Sequence, residues 1–368
     1  MNLLAEDLLD MARGAAFLGT GGGGDPYIGR LLAASAIREF GVPKIIGVDD
    51  LMDDAFVCTV AMLGAPTVLA EKAACGDEID LVVRLMEKYQ GRKIDALMPI
   101  EIGGLNSLIP IMAAARLQLP LVDADGMGRA FPEIQMTSFN IRGIPCTPAA
   151  IADEHLNSLV VEAGSAKRAE DLIRVVSIEM GCSILMSSYS LSGRDVKKAA
   201  VRGTMSLALE IGRIIARGRR AGNPLGALID YLNASPSYGA SRELFAGKVV
   251  DLQRQTARGF AIGHCHLEAL DGSGRRAEVT FQNEHLAMRE NGELRAIVPD
   301  LICMVDSESV EPIPVDALKY GQRIKVIGVR APPMLRTPEA LAVVGPQAFG
   351  LQDPYIPLER YRQSGARQ

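Results

Sequence analysis

The sequence predicts an α/β protein, with a largely parallel, Rossmann-like sheet domain followed by a second, all-β domain. Strand and helix patterns alternate along the first two thirds of the chain. Near residue 243 they give way to short alternating strands separated by turn signals. A length of 368 residues with 48% hydrophobic and 23% charged residues is typical of a globular chain with two domains. We place the α/β domain at residues 1–242, to which residues 331–368 can return, and the β-rich domain at residues 243–330.

The elements of the first domain follow from local patterns. Amphipathic spacing of apolar residues predicts helices, and short β-branched or apolar runs bounded by Gly, Pro or Asp predict strands. The predicted helices are residues 2–13, 27–40, 77–90, 107–118, 166–181 and 194–220. The predicted strands are residues 15–18, 44–48, 56–63, 94–100, 119–122, 157–161 and 182–189. Such alternation is typical of βαβ units, whose strands pair in parallel.

The second domain is predicted from turn residues. Residues 271–274, with the sequence DGSG, and Asn291-Gly292 are typical of hairpin connections. They separate strand patterns at residues 263–270, 277–281 and 294–298. The sequence therefore predicts antiparallel strands in this part of the chain.

Composition excludes several classes of protein. The formal net charge of −5 disfavours a nucleic-acid binder, which would present a basic face. The longest apolar stretch, residues 55–70, is interrupted by polar residues, glycine and proline, so we expect no membrane span. The first 18 residues lack the features of a signal peptide. We expect a cytoplasmic protein with reduced thiols, because the chain is large and its six cysteines are scattered without a secretory leader. No two of them form C-x-x-C, which excludes the common zinc-ribbon and thioredoxin signatures; they are Cys58, Cys75, Cys146, Cys182, Cys265 and Cys303. A homo-oligomer is expected from base rates.

A glycine-rich run at residues 19–27 is the most informative local feature. Five of the six residues 19–24 are glycine, which lets the backbone turn sharply and approach another group closely. Asp25 and Pro26 predict the N-cap and first position of a helix. A strand, a glycine loop and a helix N-terminus would expose N–H groups to an anion or a polarised carbonyl. The candidate ligand-binding residues here are Thr20, Gly21, Gly22, Gly23, Gly24, Asp25 and Tyr27.

Two further polar clusters follow predicted strands. Glu101 and Asn106 follow residues 94–100, and Asp123, Asp125 and Arg129 follow residues 119–122. Because the carboxyl ends of parallel strands meet at one edge of a sheet, these groups and the glycine loop are predicted to share a pocket for a small-molecule substrate. The alternatives stay open: Asp25, Glu101 and Asn106 can cap helices, and Asp123 and Asp125 can shape a turn.

The glycine run also matches G-x-G-x-x-G through Gly19, Gly21 and Gly24. Asp49, which ends the next strand, stands roughly where a ribose-binding acid would. Asp25, however, would place a carboxylate where a pyrophosphate must bind, which disfavours a dinucleotide.

Candidate groups in the second domain are histidines and a glutamate. His264 and His266 share one face of a predicted strand, so both imidazoles can reach one divalent metal, with His285 or Glu284 as a third ligand. The other interpretation is a half-exposed polar strand face. Asn283 and Glu284 are candidates for ligand binding and for general acid–base chemistry at the domain interface.

Several segments resemble one bacterial family. They are LGTGGGGDPYIGR (18–30), PIEIGGLNS (99–107), LPLVDADGMGRAFPEIQM (119–136), VTFQNE (279–284), VPD (298–300) and GPQAFG (345–350). Together they resemble the family named for S-methyl-thiohydantoin desulfurase, which is associated with hydantoinase-type proteins. The resemblance implies an α/β domain plus an all-β domain and chemistry on a five-membered hydantoin-like ring.

The leading hypothesis is an enzyme that hydrolyses a cyclic amide or thioamide, with water replacing sulfur at a ring carbon. The glycine-loop N–H groups would stabilise the developing negative charge. Protons would move through Asp123, Asp125, Glu101 or Glu284, and a metal at the histidines would polarise the ring or activate the water. The alternatives are a nucleotide-dependent enzyme and a non-catalytic ligand-binding accessory protein of a hydantoinase-like system.

Overall fold

The computed structural model describes residues 3–64, 68, 76–257 and 260–361. Cys75 and the end of the apolar stretch at residues 55–70 lie outside these residues. The described chain forms two seven-stranded sheets and a two-stranded ribbon, with helices packed around them.

The helices and strands have the following bounds. The helices are α1 (Leu8–Leu18), α2 (Pro26–Phe40), α3 (Asp77–Gln90), α4 (Ile109–Leu117), α5 (Ser138–Ile141), α6 (Ala166–Glu179), α7 (Gly193–Ala199), α8 (Thr204–Arg220), α9 (Pro224–Ala234) and α10 (Pro338–Val344). The strands are β1 (Ile45–Ile46), β2 (Phe56–Gly64), β3 (Ala96–Pro99), β4 (Leu121–Val122), β5 (Ala124–Asp125), β6 (Ala149–Ala152), β7 (Ser158–Val161), β8 (Ser183–Ser192), β9 (Val201–Arg202), β10 (Arg242–Ala257), β11 (Phe260–Ala269), β12 (Arg276–Gln282), β13 (Glu284–Glu290), β14 (Glu293–Ile297), β15 (Leu301–Asp306) and β16 (Arg323–Val329).

The first sheet is mixed rather than largely parallel. Its strand order is β1-β4-β3-β2-β8-β6-β7. The pairings β1–β4, β4–β3 and β3–β2 are parallel, as the βαβ pattern predicted. The pairings β2–β8, β8–β6 and β6–β7 are antiparallel. The Rossmann-like prediction was wrong for this half of the sheet, because the apolar content of a strand reports its burial and not its direction.

The second sheet is antiparallel throughout, which confirms the all-β prediction. Its strand order is β14-β13-β12-β11-β10-β16-β15. Cys265, Leu267, Val279 and Phe281 are fully buried and alternate with more exposed residues along β11 and β12. The turn at Asn291 and Gly292 joins β13 to β14, with both residues at positive φ. The strands of the two sheets span residues 45–192 and 242–329, while the predicted domain limits themselves stay a prediction.

Two local predictions were wrong. Residues 15–18, predicted as a strand, form the last turn of α1, whose apolar residues recur at helical spacing and face the core. Gly14 of α1 lies against α8, where a Cβ would stand 1.7 Å from the Ala208 carbonyl oxygen. Residues 194–220, predicted as one helix, form α7, β9 and α8, and Gly203, with φ of +71°, separates β9 from α8.

Other elements have nearly the predicted bounds. Helix α3 covers the predicted residues 77–90 and ends at Gly91, which has the left-handed conformation that terminates many helices. Strand β2 exceeds its predicted range by one residue. Within the described ranges, no helix combines the length and the apolar character that crossing a membrane requires.

Candidate functional site

A cavity lies between the two sheets, at the glycine-rich loop. Its empty volume is about 870 Å³, part of which is open to solvent. Its polar lining combines loop residues, Arg174 of α6 and Glu284 of β13. The polar lining residues are Gly21, Gly22, Gly23, Gly24, Glu101, Asn106, Glu133, Arg174, Asn283, Glu284 and Asp316.

The glycine loop connects two helices, α1 and α2, rather than a strand and a helix. Its glycines allow three very close contacts. A Cβ at Gly21 would stand 2.6 Å from Cε1 of His285, and one at Gly22 would stand 1.9 Å from Oε1 of Glu284. A Cβ at Gly23 would stand 2.6 Å from the Gly103 carbonyl oxygen. The glycines therefore let the loop pack against β13 and against the segment after β3.

Glu101 is buried at the end of β3 and held by two donors. The Asn106 side-chain amide donates to its Oε1 at 2.7 Å, and the Phe131 backbone N–H donates to its Oε2 at 3.2 Å. Asn106 in turn accepts a hydrogen bond from the Met62 backbone N–H at 2.8 Å. Burial raises the pKa of Glu101 to about 8, and the nearby charge of Asp125 adds to this effect. The two donors and the charge of Arg129 oppose it.

Glu284 enters the cavity from the start of β13. Its side chain is 2% exposed, and its Oε2 has no hydrogen-bond partner among the described residues. Burial raises its pKa well above the ordinary value, and the charge of Glu101 raises it further. Arg129 and the Gly23 backbone N–H oppose the rise. Glu101 and Glu284 are thus coupled, so that ionisation of one carboxyl disfavours ionisation of the other.

Arg129 is fully buried and does not line the cavity. Its guanidinium donates to Thr20 Oγ1 at 2.7 Å, and to the carbonyl oxygens of Pro299 and Asp300, each at 3.0 Å. It also donates to the carbonyl oxygen of His285 at 3.3 Å. Burial lowers the pKa of Arg129 to about 10, which leaves it charged at neutral pH, while Glu284 opposes the shift. Arg129 and Thr20, both predicted to bind ligand, instead join the glycine loop to β13 and the turn before β15.

Asp123 and Asp125, predicted as catalytic, make hydrogen bonds within the fold. Asp123 Oδ1 accepts from the backbone N–H groups of Met205 and Ser206, at the start of α8. Asp125 Oδ2 accepts from the backbone N–H groups of Met127 at 2.9 Å and Gly128 at 2.7 Å. Neither aspartate lines the cavity. Their geometry matches the alternative interpretation, in which they shape a turn and a helix start.

The start of α2 also matches its structural interpretation. Asp25 accepts a hydrogen bond from the Tyr27 backbone N–H at 2.9 Å and caps α2, with Pro26 at the first helical position. Tyr27 is 57% exposed and, like Asp25, is not part of the cavity wall.

The structure does not assemble the predicted metal site. His264 and His266 lie on β11 beside Glu278, with Nδ1-to-carboxylate distances of 3.4 and 3.8 Å. His285 is buried on β13, where its Nδ1 lies 2.8 Å from the Ile302 carbonyl oxygen. Across the described ranges, no group of three or more His, Cys, Asp or Glu side chains is arranged to hold a metal ion. His264 and His266 were predicted to share a metal with His285 or Glu284, but they lie on a partly exposed strand face, while His285 and Glu284 are buried on β13.

Asp316 and Arg174 are among the cavity-wall residues that were not predicted. Asp316 lies after β15, where the Val315 backbone N–H donates to the Gly21 carbonyl oxygen at 2.8 Å. Burial raises the pKa of Asp316, while Arg254 opposes the shift. Arg174 comes from the middle of α6. No local pattern marks either residue, because they reach the cavity only through the packing of distant elements.

Two family models together match residues 6–358 of the chain. The model described as S-Me-THD-like, N-terminal domain, matches residues 6–163, and the S-Me-THD-like, C-terminal domain, matches residues 164–358. The boundary between the two models falls between β7 and α6. The chain is also similar to a protein from Chromobacterium violaceum solved by X-ray crystallography. That protein is 25% identical, with a TM-score of 0.82, over 97% of this chain and 100% of the other. No curated protein sequence matches the chain.

Proposed function

The chain belongs to the S-Me-THD-like family, and from this premise we propose that it is an enzyme that removes sulfur hydrolytically from a thiohydantoin-like ring. One observation carries the proposal. Two buried, coupled carboxyl groups, Glu101 and Glu284, line the same cavity beside the glycine loop. Pairs of carboxyl groups held in different environments commonly divide the roles of acid and base between them.

The two carboxyl groups differ in their partners, and this difference assigns their roles. Both oxygens of Glu101 accept hydrogen bonds from N–H donors, which favours its ionised form. Glu284 has one oxygen without a partner among the described residues, and burial raises its pKa well above the ordinary value, which favours its protonated form. Glu101, whose pKa of about 8 supplies the ionised form as the pH rises through that value, is therefore the proposed general base, and Glu284 is the proposed general acid.

The proposed reaction conserves atoms and charge. Glu101 accepts a proton from water as the water oxygen bonds to the ring carbon that carries sulfur. The carbon–sulfur bond then breaks, and Glu284 gives its proton to the departing sulfur, which leaves as a thiol. The hydroxyl left on the ring carbon passes its proton to the adjacent ring nitrogen, which gives the carbonyl product. The proton on Glu101 returns to Glu284 directly or through solvent.

Negative charge develops on the ring when water adds to it. Gly21, Gly24, Asn106 and Asn283 belong to the cavity wall. The backbone N–H groups of the two glycines and the side-chain amides of the two asparagines are the proposed donors for that charge. A phosphate-bearing ligand suits this wall less well, because Arg174, the cationic residue among the described residues of its lining, already pairs with Glu170. The wall therefore favours a neutral ring over a nucleotide.

The direct test is turnover of S-methyl-2-thiohydantoin, followed by thiol release. We expect thiol release by the wild-type protein and its loss in Glu284→Gln, whose side chain has nearly the same shape but cannot supply a proton. Asp123→Asn is the control variant, because Asp123 accepts hydrogen bonds from the start of α8 and does not line the cavity. No thiol release by the wild-type protein, or equal rates in wild type and Glu284→Gln, would contradict the proposal.

A further inference from the structure

A second cavity adjoins the first, between α6 and the ends of β10, β11 and β12. Its empty volume is about 660 Å³. Glu133 and Arg174 line both cavities and mark the place where they meet. A bare five-membered ring beside Glu101 and Glu284 would occupy the first cavity and leave the second to water.

One wall of the second cavity is apolar. Phe260 is buried, Ala257 and Ile262 are half-buried, and all three line this cavity. The Arg174 guanidinium stacks over the Phe260 ring, with its central carbon 4.4 Å from the ring centroid. This contact holds the aromatic ring at the junction of the two cavities.

The charged groups on the opposite wall already have partners. The Lys167 ammonium lies 3.2 Å from a Glu133 carboxylate oxygen and 2.7 Å from one of Asp171. The Arg174 guanidinium lies 2.5 Å from a Glu170 carboxylate oxygen. A charged ligand group would have to displace one of these pairs, whereas a neutral apolar group would leave them intact.

We propose that the second cavity is a subsite for a neutral, bulky apolar substituent on the substrate ring, with Phe260 and Ile262 as specificity-determining residues. The inference rests on the proposed ring chemistry and names its substrate class. That class is five-membered cyclic amides or thioamides with an aromatic or branched aliphatic group on the saturated ring carbon. The substituent buries apolar surface against β11 and leaves the Lys167 and Arg174 ion pairs in place.

The test compares a substituted with an unsubstituted ring in matched variants. The probes are S-methyl-2-thiohydantoin with and without a 5-benzyl group for turnover, and 5-benzylhydantoin and hydantoin for calorimetric binding. Ile262→Trp fills the subsite. Ile178→Trp is the matched control, because Ile178 on α6 is 59% exposed and lines neither cavity. Phe260→Ala removes the aromatic wall and is the second test variant, to be used if Ile262→Trp does not fold.

In the wild type and in Ile178→Trp, kcat/KM for the benzyl substrate should exceed that for the bare ring by about tenfold or more, since apolar contacts discriminate to that extent. Ile262→Trp or Phe260→Ala should remove this preference and leave the bare ring's kcat/KM unchanged. Equal kcat/KM for both substrates in the wild type would overturn the subsite and leave the proposed reaction standing. Tighter binding of 5-benzylhydantoin without turnover of either substrate would support the subsite and contradict the reaction.

Discussion

Replacing Glu101 by glutamine should change how stability depends on pH. Burial raises the pKa of Glu101 from 4.5 to about 8 in the folded protein. The folded state therefore binds this proton more tightly than the unfolded state does. Its contribution to the free energy of unfolding is fully present below pH 4.5 and is lost as the pH rises through about 8. At about 1.4 kcal/mol for each pH unit between the two values, the loss amounts to about 5 kcal/mol.

Glutamine does not titrate, so the Glu101→Gln variant lacks this loss. It has a separate cost that does not depend on pH. Glu101 accepts one hydrogen bond at each oxygen, and the glutamine NH₂ would face one of the same N–H donors, at a cost of about 1–3 kcal/mol. The variant should therefore be less stable than the wild type at pH 5 and more stable at pH 8, and the two stability curves should cross.

Urea unfolding at pH 5, 6, 7 and 8 measures this directly, with the free energy of unfolding extrapolated to water for each protein. Glu293→Gln is the control, since Glu293 is exposed on β14 and its variant should follow the wild-type curve. A constant difference between wild type and Glu101→Gln from pH 5 to pH 8 would refute the reasoning, because it would mean that Glu101 takes up no additional proton on folding.

Three further substitutions test the site. Glu284→Gln should lower kcat by about 10²- to 10⁴-fold, the usual worth of a general acid, with near-UV circular dichroism unchanged; an unaltered kcat would remove Glu284 from the mechanism. Gly22→Ala should lower thermal stability and turnover, because its Cβ would stand 1.9 Å from Glu284 Oε1. The control variant, Gly164→Ala, should match the wild type in both assays, because the added Cβ would meet open space. Asp125→Asn should lower the free energy of unfolding by about 1–3 kcal/mol, because Asp125 Oδ2 accepts hydrogen bonds from two backbone N–H groups. Thiol release should continue in this variant. Loss of thiol release at unchanged stability would instead mean that Asp125 takes part in the reaction.

Local patterns predicted the elements whose residues interact mainly with their sequence neighbours. The apolar spacing of residues 77–90 corresponds to α3, and the Asn291-Gly292 turn joins β13 to β14. Asp25 and Pro26 start α2 as their residue types predict. These features depend on backbone conformation within a few residues, which amino-acid type strongly restricts.

Local patterns failed where a segment has the right composition for two structures. Residues 15–18 are apolar and short, which suits a strand as well as the last turn of a buried helix. The residues of β8 were predicted to form a strand, but their sequence does not determine the direction in which β8 pairs with β2. That antiparallel pairing depends on where the chain returns after α6. These choices are made by contacts between segments far apart in sequence.

The candidate site also has some features that the sequence predicted and others that only the packing of the chain established. The sequence by itself determined the family, the presence of α/β and antiparallel β parts, and the glycine loop with Glu101, Asn106, Asn283 and Glu284 as candidates. Only the tertiary structure decided which of the candidates face one cavity. It placed Asp123 and Asp125 in backbone hydrogen bonds, separated His285 from the β11 histidines, and added Asp316 and Arg174. The physical reason is that desolvation and charge coupling depend on which groups the packing of the two sheets brings together, and residue type alone does not specify this.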